Sequence, residues 1–149
     1  MWFRPSGRRF QLVETARQIR QKHFVLNGEG VVLGVDGISD FNALHSRKHD
    51  AGVQFYAFDM LAGDGDDHRK LPLSMRKTNL CGCWRGAPRA FLSRPFEQVD
   101  VGTDLFRAAC GMGLEGLVSK HRERAYRAGR SPHWIKVKNR RHQATSREF

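Results

Sequence analysis

Three cysteines, Cys81, Cys83 and Cys110, are too few and too odd a set for a disulfide scaffold. They fit a reducing cytosol, so the expected compartment is the cytoplasm, in association with the nucleoid. No apolar run approaches the ~20 residues needed to span a bilayer, so no membrane partner is expected. The stretch from Met1 to Arg9 is positive but has no apolar segment behind it, unlike a signal peptide. Acidic residues are scarce: 15 Asp and Glu stand against 26 Lys and Arg, for a net charge of +11 in 149 residues. Such a balance points to a polyanionic partner, nucleic acid before an acidic surface. The length suffices for one domain with a core. No repeat, low-complexity tract or linker divides it.

Several familiar sites are also missing. Cys81-x-Cys83 has the wrong spacing for a zinc knuckle, and no second pair completes four ligands. His45 and His49 are one helical turn apart, but no glutamate accompanies them as in a zinc protease, and a charged helix face explains them. Asp64-Gly65-Asp66-Asp67 is too short for a calcium loop and reads as a hairpin turn. No Gly-x-Ser-x-Gly elbow supports a hydrolase.

Periodicity predicts a helix from Leu12 to Lys22 on Leu12, Ala16 and Ile19. Phe24-Val25-Leu26 reads as a strand. Asn27-Gly28 is a strong hairpin signal, although Glu29 to Leu33 follows so directly that a bend within one sheet edge is the alternative. Asp36-Gly37 makes the next turn. Ser39 could cap a helix from Asp40 to His49 that buries Phe41 and Leu44. Val53 to Asp59 alternates as a strand. Pro72 precedes a short helix over Leu73–Leu80. Cys81 to Pro95 reads as loop, with Ala90-Phe91-Leu92 as an optional strand. Thr103 caps a helix through Cys110 that buries Leu105, Phe106 and Ala109 and is stopped by Gly111 and Gly113. The basic tail after Asn139 is expected to fray. The sum is an α+β domain on mostly antiparallel sheets.

Gly113 to Lys138 holds the most unusual pattern. In Gly113-Leu114-Glu115-Gly116-Leu117-Val118-Ser119-Lys120 and Trp134-Ile135-Lys136-Val137-Lys138, charged residues sit inside β-prone runs. Strand alternation puts Lys136 and Lys138 on one face, with Ile135 and Val137 on the other. Two neighbouring lysines repel on a half-buried strand unless an anion lies across both. A triphosphate suits them, and Glu115 on the adjoining strand could hold its divalent metal.

These two runs resemble motifs IV and V of the ATP-dependent DNA ligases, bacterial end-joining type, in order and at a suitable separation. Met112-Gly113-Leu114 and Tyr126-Arg127-Ala128-Gly129-Arg130-Ser131 are similar to that family as well. The resemblance implies a DNA ligase/mRNA capping nucleotidyltransferase fold, ATP-grasp-like, with antiparallel sheets around a nucleotide cleft and helices outside. It also implies ATP and Mg²⁺ or Mn²⁺ as cofactors, and nicked or broken double-stranded DNA as partner. Phe58-Asp59 resembles motif III: Phe58 would stack on adenine and Asp59 would work near nucleotide and metal. Alone, Phe58 would be core and Asp59 a strand end. Asn27-Gly28-Glu29 is similar to the family's Asp-Gly-Glu turn, with Glu29 binding the ribose hydroxyl. Lys120 closes motif IV among the nucleotide-binding residues. Arg76-Lys77 resembles the family's basic helix start, or is a solvated helix face. Lys136 and Lys138 would bind the α-phosphate, and Glu115 the metal.

The family's nucleophilic lysine, in Lys-x-Asp-Gly, has no match. Gly34-Val35-Asp36-Gly37 carries glycine where the lysine belongs. The expectation is a basic arm over residues 1–10, a partial adenylation domain over 11–139 and a basic tail over 140–149. The motif I segment would lie before Met1, and the oligonucleotide-binding barrel would be absent. Loss of the motif I strand would expose a sheet edge and favour marginal stability or association. A separate polypeptide is one way to supply that segment. The expected activity is ATP-dependent strand joining in DNA repair and recombination, with self-adenylation lost. The alternative is a non-catalytic basic nucleic-acid-binding remnant. A capping-type nucleotidyltransferase shares the motif logic but matches Met112 to Lys138 less well.

Overall fold

The computed structural model describes residues 10–46, 48–83, 91–93 and 102–142. The chain divides into two units, one of Met1–Pro95 with Glu123–Tyr126, the other of Phe96–Arg122 with Arg127–Phe149.

The first unit is built on a sheet of β1 (Phe24–Val32), β2 (Val53–Gly63), β3 (Asp66–Asp67) and β4 (Phe91–Ser93). β1 and β3 run antiparallel to β2, whereas β4 pairs with it in parallel. Asn27-Gly28 is therefore not a hairpin: β1 passes straight through it. Two register shifts interrupt the β1–β2 ladder. Asn27 pairs with Asp59 and Gly28 with Ala57, which leaves Phe58 as an extra residue on β2. Leu61 is skipped likewise between the Val25–Ala62 and Leu26–Met60 pairs. Glycine inside a strand marks such a bulge or a close backbone approach. A Cβ on Gly28 would lie 2.3 Å from the Tyr56 carbonyl oxygen and 2.6 Å from the Phe55 ring. Close packing, rather than a turn, is what requires glycine there.

Asp64-Gly65 makes the β2–β3 turn with positive φ at both residues (51° and 95°), the twist that two-residue hairpins favour. Just beyond it, Asp67 binds Arg69 in an exposed ion pair. The guanidinium and the Arg69 amide hold the Asp67 carboxyl well below the usual range. The small stabilisation this gives is present above the ordinary carboxylate pKa and is lost as pH falls through the depressed one.

Three helices flank this sheet: α1 (Phe10–Arg17), α2 (Phe41–Ser46) and α3 (Leu73–Cys83). α1 stops short of the expected Lys22, yet Ile19 is buried beyond its end. α2 also stops short, and Asp40, not Ser39, caps it by accepting from the Ala43 amide at 2.9 Å. Ser39 instead bridges to Leu33 in an isolated β-contact. Leu44 packs on a cluster of Leu12, Val32 and Val53, while the Phe41 side chain is outside the described residues. α3 runs through Cys83 rather than ending at Leu80, because Leu80 and Cys83 share one buried face with Ile19, Ala57 and Met60. Burial there pushes the Cys83 thiol pKa up.

The second unit holds α4 (Thr103–Gly111) and the antiparallel pair β5 (Gly116–Lys120) and β6 (Trp134–Lys138). Thr103 is the first helical residue of α4, Gly102 takes the N-cap place, and no side chain bonds there. Only Ala109 of the three expected core residues is buried. The helix closes as expected at Gly113 (φ 70°): the Gly113 amide donates to the Cys110 carbonyl and the Leu114 amide to that of Ala109. That bond pair is the Schellman ending, which needs a left-handed residue. Among the described residues no helix is long and apolar enough to cross a membrane.

Gly28→Ala should destabilise the chain by about 1–3 kcal/mol through overpacking. Gly30→Ala, whose Cβ would meet only Val53 at 3.6 Å, should cost about 1 kcal/mol or less. Paired urea titrations check the difference, and equal midpoints would refute the packing account.

Candidate functional site

The residues singled out from the sequence fall on both units. Glu29, Phe58 and Asp59 belong to the first, and Glu115, Lys120, Lys136 and Lys138 to the second.

In the first unit Glu29 lies within β1 rather than in a turn, opposite Tyr56 and exposed. Phe58 is half-buried at the bulge, a feature that re-aims a side chain out of strict alternation. Asp59 departs from expectation. Its side chain is completely buried and forms a two-pronged ion pair with Arg76, itself 1% exposed. Arg76 Nε donates to Oδ1 at 2.8 Å and Nη2 to Oδ2 at 2.9 Å. The Met60 amide donates to Oδ1 as well. These bonds engage both carboxylate oxygens, so Asp59 is a buried, paired carboxylate rather than the open one that its place in motif III implies.

Arg76, in the first turns of α3, is accordingly not part of a solvated helix face. Its Nη1 donates to the carbonyls of Leu71 and Arg124, and its guanidinium lies 6.0 Å from the Tyr126 ring centroid. The Leu73 amide bonds the Arg124 carbonyl, and the Tyr126 amide bonds that of Arg69. Glu123–Tyr126, from the link between β5 and β6, is thus stitched to the start of α3. Arg76 was missed as a structural residue because its partner lies 17 positions away. A charged residue at a buried helical position, with a lone carboxylate at the end of an apolar strand, was the available signal.

In the second unit Glu115 stands between the Schellman ending and β5. Its backbone is fixed from β6: the Asn139 amide donates to the Glu115 carbonyl at 2.7 Å, and Asn139 Nδ2 to that of Leu114 at 3.0 Å. Asn139 is buried and also accepts from the Arg141 amide, so the chain turns at residues 139–142 instead of fraying there. Residues 143–149 are outside the described part. Gly116 has φ 155°, and a Cβ on it would sit 2.1 Å from the Val137 carbonyl oxygen. That conformation turns Glu115 out of strict alternation, and its carboxylate reaches Lys136 Nζ at 3.4 Å. Lys138 shares the Lys136 face, opposite Gly116, which offers it no side chain.

β6 is exposed on both faces rather than half-buried: Ile135 is 61% and Val137 39% accessible. At the far end Lys120 lies directly across from Trp134, its ammonium 4.6 Å from the ring centroid. The structure therefore joins Glu115 with Lys136 and Lys120 with Trp134. Two cations against one carboxylate leave the Lys136–Lys138 face suited to an anion. Exposed pairs such as Glu115–Lys136 contribute at most about 1 kcal/mol to stability.

An exposed strand carrying Lys136 and Lys138 beside the exposed Glu115 carboxylate is chemistry that suits a nucleotidyl-transfer class of protein, and similarity to known proteins supplies the family. The family profile described as "ATP dependent DNA ligase domain" matches residues 5–138. The multifunctional non-homologous end joining protein LigD of Pseudomonas aeruginosa is 34% identical over 116 residues, 76% of this chain and 14% of that protein. The ligase domain of LigD from M. tuberculosis superposes with a TM-score of 0.75 at 29% identity, covering 90% of this chain and 44% of that one. A mycobacterial DNA ligase D complexed with ATP and MES gives 0.70 at 28% identity, covering 89% and 42%. This chain belongs to the ATP-dependent DNA ligase domain family, as an α+β domain that spans less than half of the ligase chains it superposes on.

Arg76→Met should cost about 3–5 kcal/mol by stranding the buried Asp59 carboxylate. Asp59→Leu combined with Arg76→Met should recover most of that loss. Chemical denaturation of both variants checks it, and a double variant no better than the single one would overturn the ion-pair account.

Proposed function

We propose that this chain binds adenosine nucleotide and DNA in an ATP-dependent strand-joining reaction of DNA repair and recombination. The observation that carries the reading is the contact of Glu115 with Lys136, beside Lys138, inside the two runs that match the family. Lys136 and Lys138 would bind the α-phosphate and neutralise charge that grows on it as the adenylyl group transfers and pyrophosphate leaves, an electrostatic role without proton transfer. Lys120, kept in place by the Trp134 face, would add a third cation. Phe58 would stack on adenine, and Glu29 would accept from the ribose hydroxyl.

Glu115 offers one exposed carboxylate, which suits Mg²⁺ or Mn²⁺: such ions are held through one or two carboxylates together with substrate phosphates. When bound, the ion would screen the phosphates and orient the leaving pyrophosphate. Exposed arginines of the β5–β6 link, Arg127 and Arg130, would meet the DNA backbone. A cytoplasmic, nucleoid-associated place follows from that partner. The sequence contains no Lys-x-Asp-Gly, so the lysyl-adenylate would not form on this chain. A separate polypeptide could provide that lysine, or this chain could act on DNA that already carries AMP.

The rival reading, a non-catalytic basic binder, draws on the net charge of +11. It requires DNA binding that falls steeply with salt and ignores nucleotide.

Incubation with α-labelled ATP and Mg²⁺ should leave no covalent label on this chain, and a stable adenylate would refute that part of the proposal. ATP should protect the chain from thermal unfolding. Lys136→Ala or Glu115→Ala should weaken that protection about 10–100-fold in half-saturating ATP, with little change in unliganded stability. Absence of ATP protection in the unmodified chain would favour the basic binder.

A further inference from the structure

We propose that the cleft between the β2–β3 hairpin and α3 is a docking site for an arginine side chain of a partner protein. The cleft holds about 380 Å³ and lies wholly in the first unit, with Gln21, Asp64, Asp66, His68, Asn79 and Cys83 among its walls. Two of its polar atoms, Gln21 Oε1 and His68 Nδ1, are buried without a hydrogen-bond partner among the described residues, and His68 is only 8% exposed. Both side chains flank Gly63, whose Cβ position is 2.9 Å from Gln21 Oε1 and 3.2 Å from His68 Cε1. Unsatisfied buried polar atoms are costly, and a ligand that donates to them recovers the loss.

The rim supplies the sign of the charge. Asp64 and Asp66 are exposed and make no ion pair among the described residues, unlike Asp67 beside them, which is committed to Arg69. Free carboxylates stand out in a chain with 26 basic residues, and they repel phosphate and nucleic acid. A metal ion is a poorer occupant, because no three His, Cys, Asp or Glu side chains converge among the described residues. A guanidinium presents five donors in a fixed planar fork and can satisfy several separated acceptors at once, whereas an ammonium offers three diverging ones. This site does not rest on the nucleotide reading.

Titration of the full chain with N-acetyl-arginine amide, followed by NMR on the His68 ring, tests the site. Expected are saturable shifts confined to cleft residues and unchanged by ATP. Asp64→Asn with Asp66→Asn, both exposed, should weaken the interaction about tenfold, and Gln21→Leu should do the same. Equal shifts with the neutral citrulline analogue or with N-acetyl-lysine amide would overturn the proposal. So would shifts with zinc but not with arginine, or no saturable shift at all.

Discussion

The ion pair between Asp59 and Arg76 is the constraint around which the first unit is assembled. Two full charges are withdrawn from water, which is tolerable only when each finds its hydrogen bonds. Arg76 meets that condition by dividing its donors between the Asp59 carboxylate and the carbonyls of Leu71 and Arg124. The consequences spread outward from there. α3 is fastened to β2, the Phe58 bulge is held beside a fixed neighbour, and a segment from the β5–β6 link is tied to the start of α3. Apolar packing of Met60, Leu80, Ala57 and Ile19 gives that region its bulk. The ion pair sets which residues meet.

The second unit follows a different logic. β6 is exposed while β5 is half-buried, and the charged pair contributes little to stability. What fixes the geometry is backbone: the Schellman ending at Gly113, the close approach at Gly116 and the two hydrogen bonds from Asn139. A carboxylate placed by backbone can remain solvated and available, in contrast to Asp59. Asp59 and Glu115 thus divide into one carboxylate that braces the fold and one that stays exposed beside Lys136. Burial decides between them.

Much of this was legible in the residues themselves. β5 and β6 lie where their alternating runs put them, Gly113 ends α4, and Asp64-Gly65 turns the hairpin, because each depends on neighbours in sequence. The family match on motifs IV and V likewise rests on short contiguous strings. Local readings failed where distant groups intervened. Asn27-Gly28 has the chemistry of a turn, yet the Phe55 ring and the Tyr56 carbonyl press against Gly28 across the sheet. Asp59 resembles a site carboxylate and Arg76 a surface cation until the fold buries them together.

Charge balance, strand alternation and glycine placement are properties of the chain alone, and they determined the net positive charge, the class of fold and the placing of Lys136 and Lys138 on one face of β6. Tertiary structure decided which charges are spent internally and which stay exposed. Desolvation depends on everything packed around a group, and no stretch of neighbouring residues encodes that by itself.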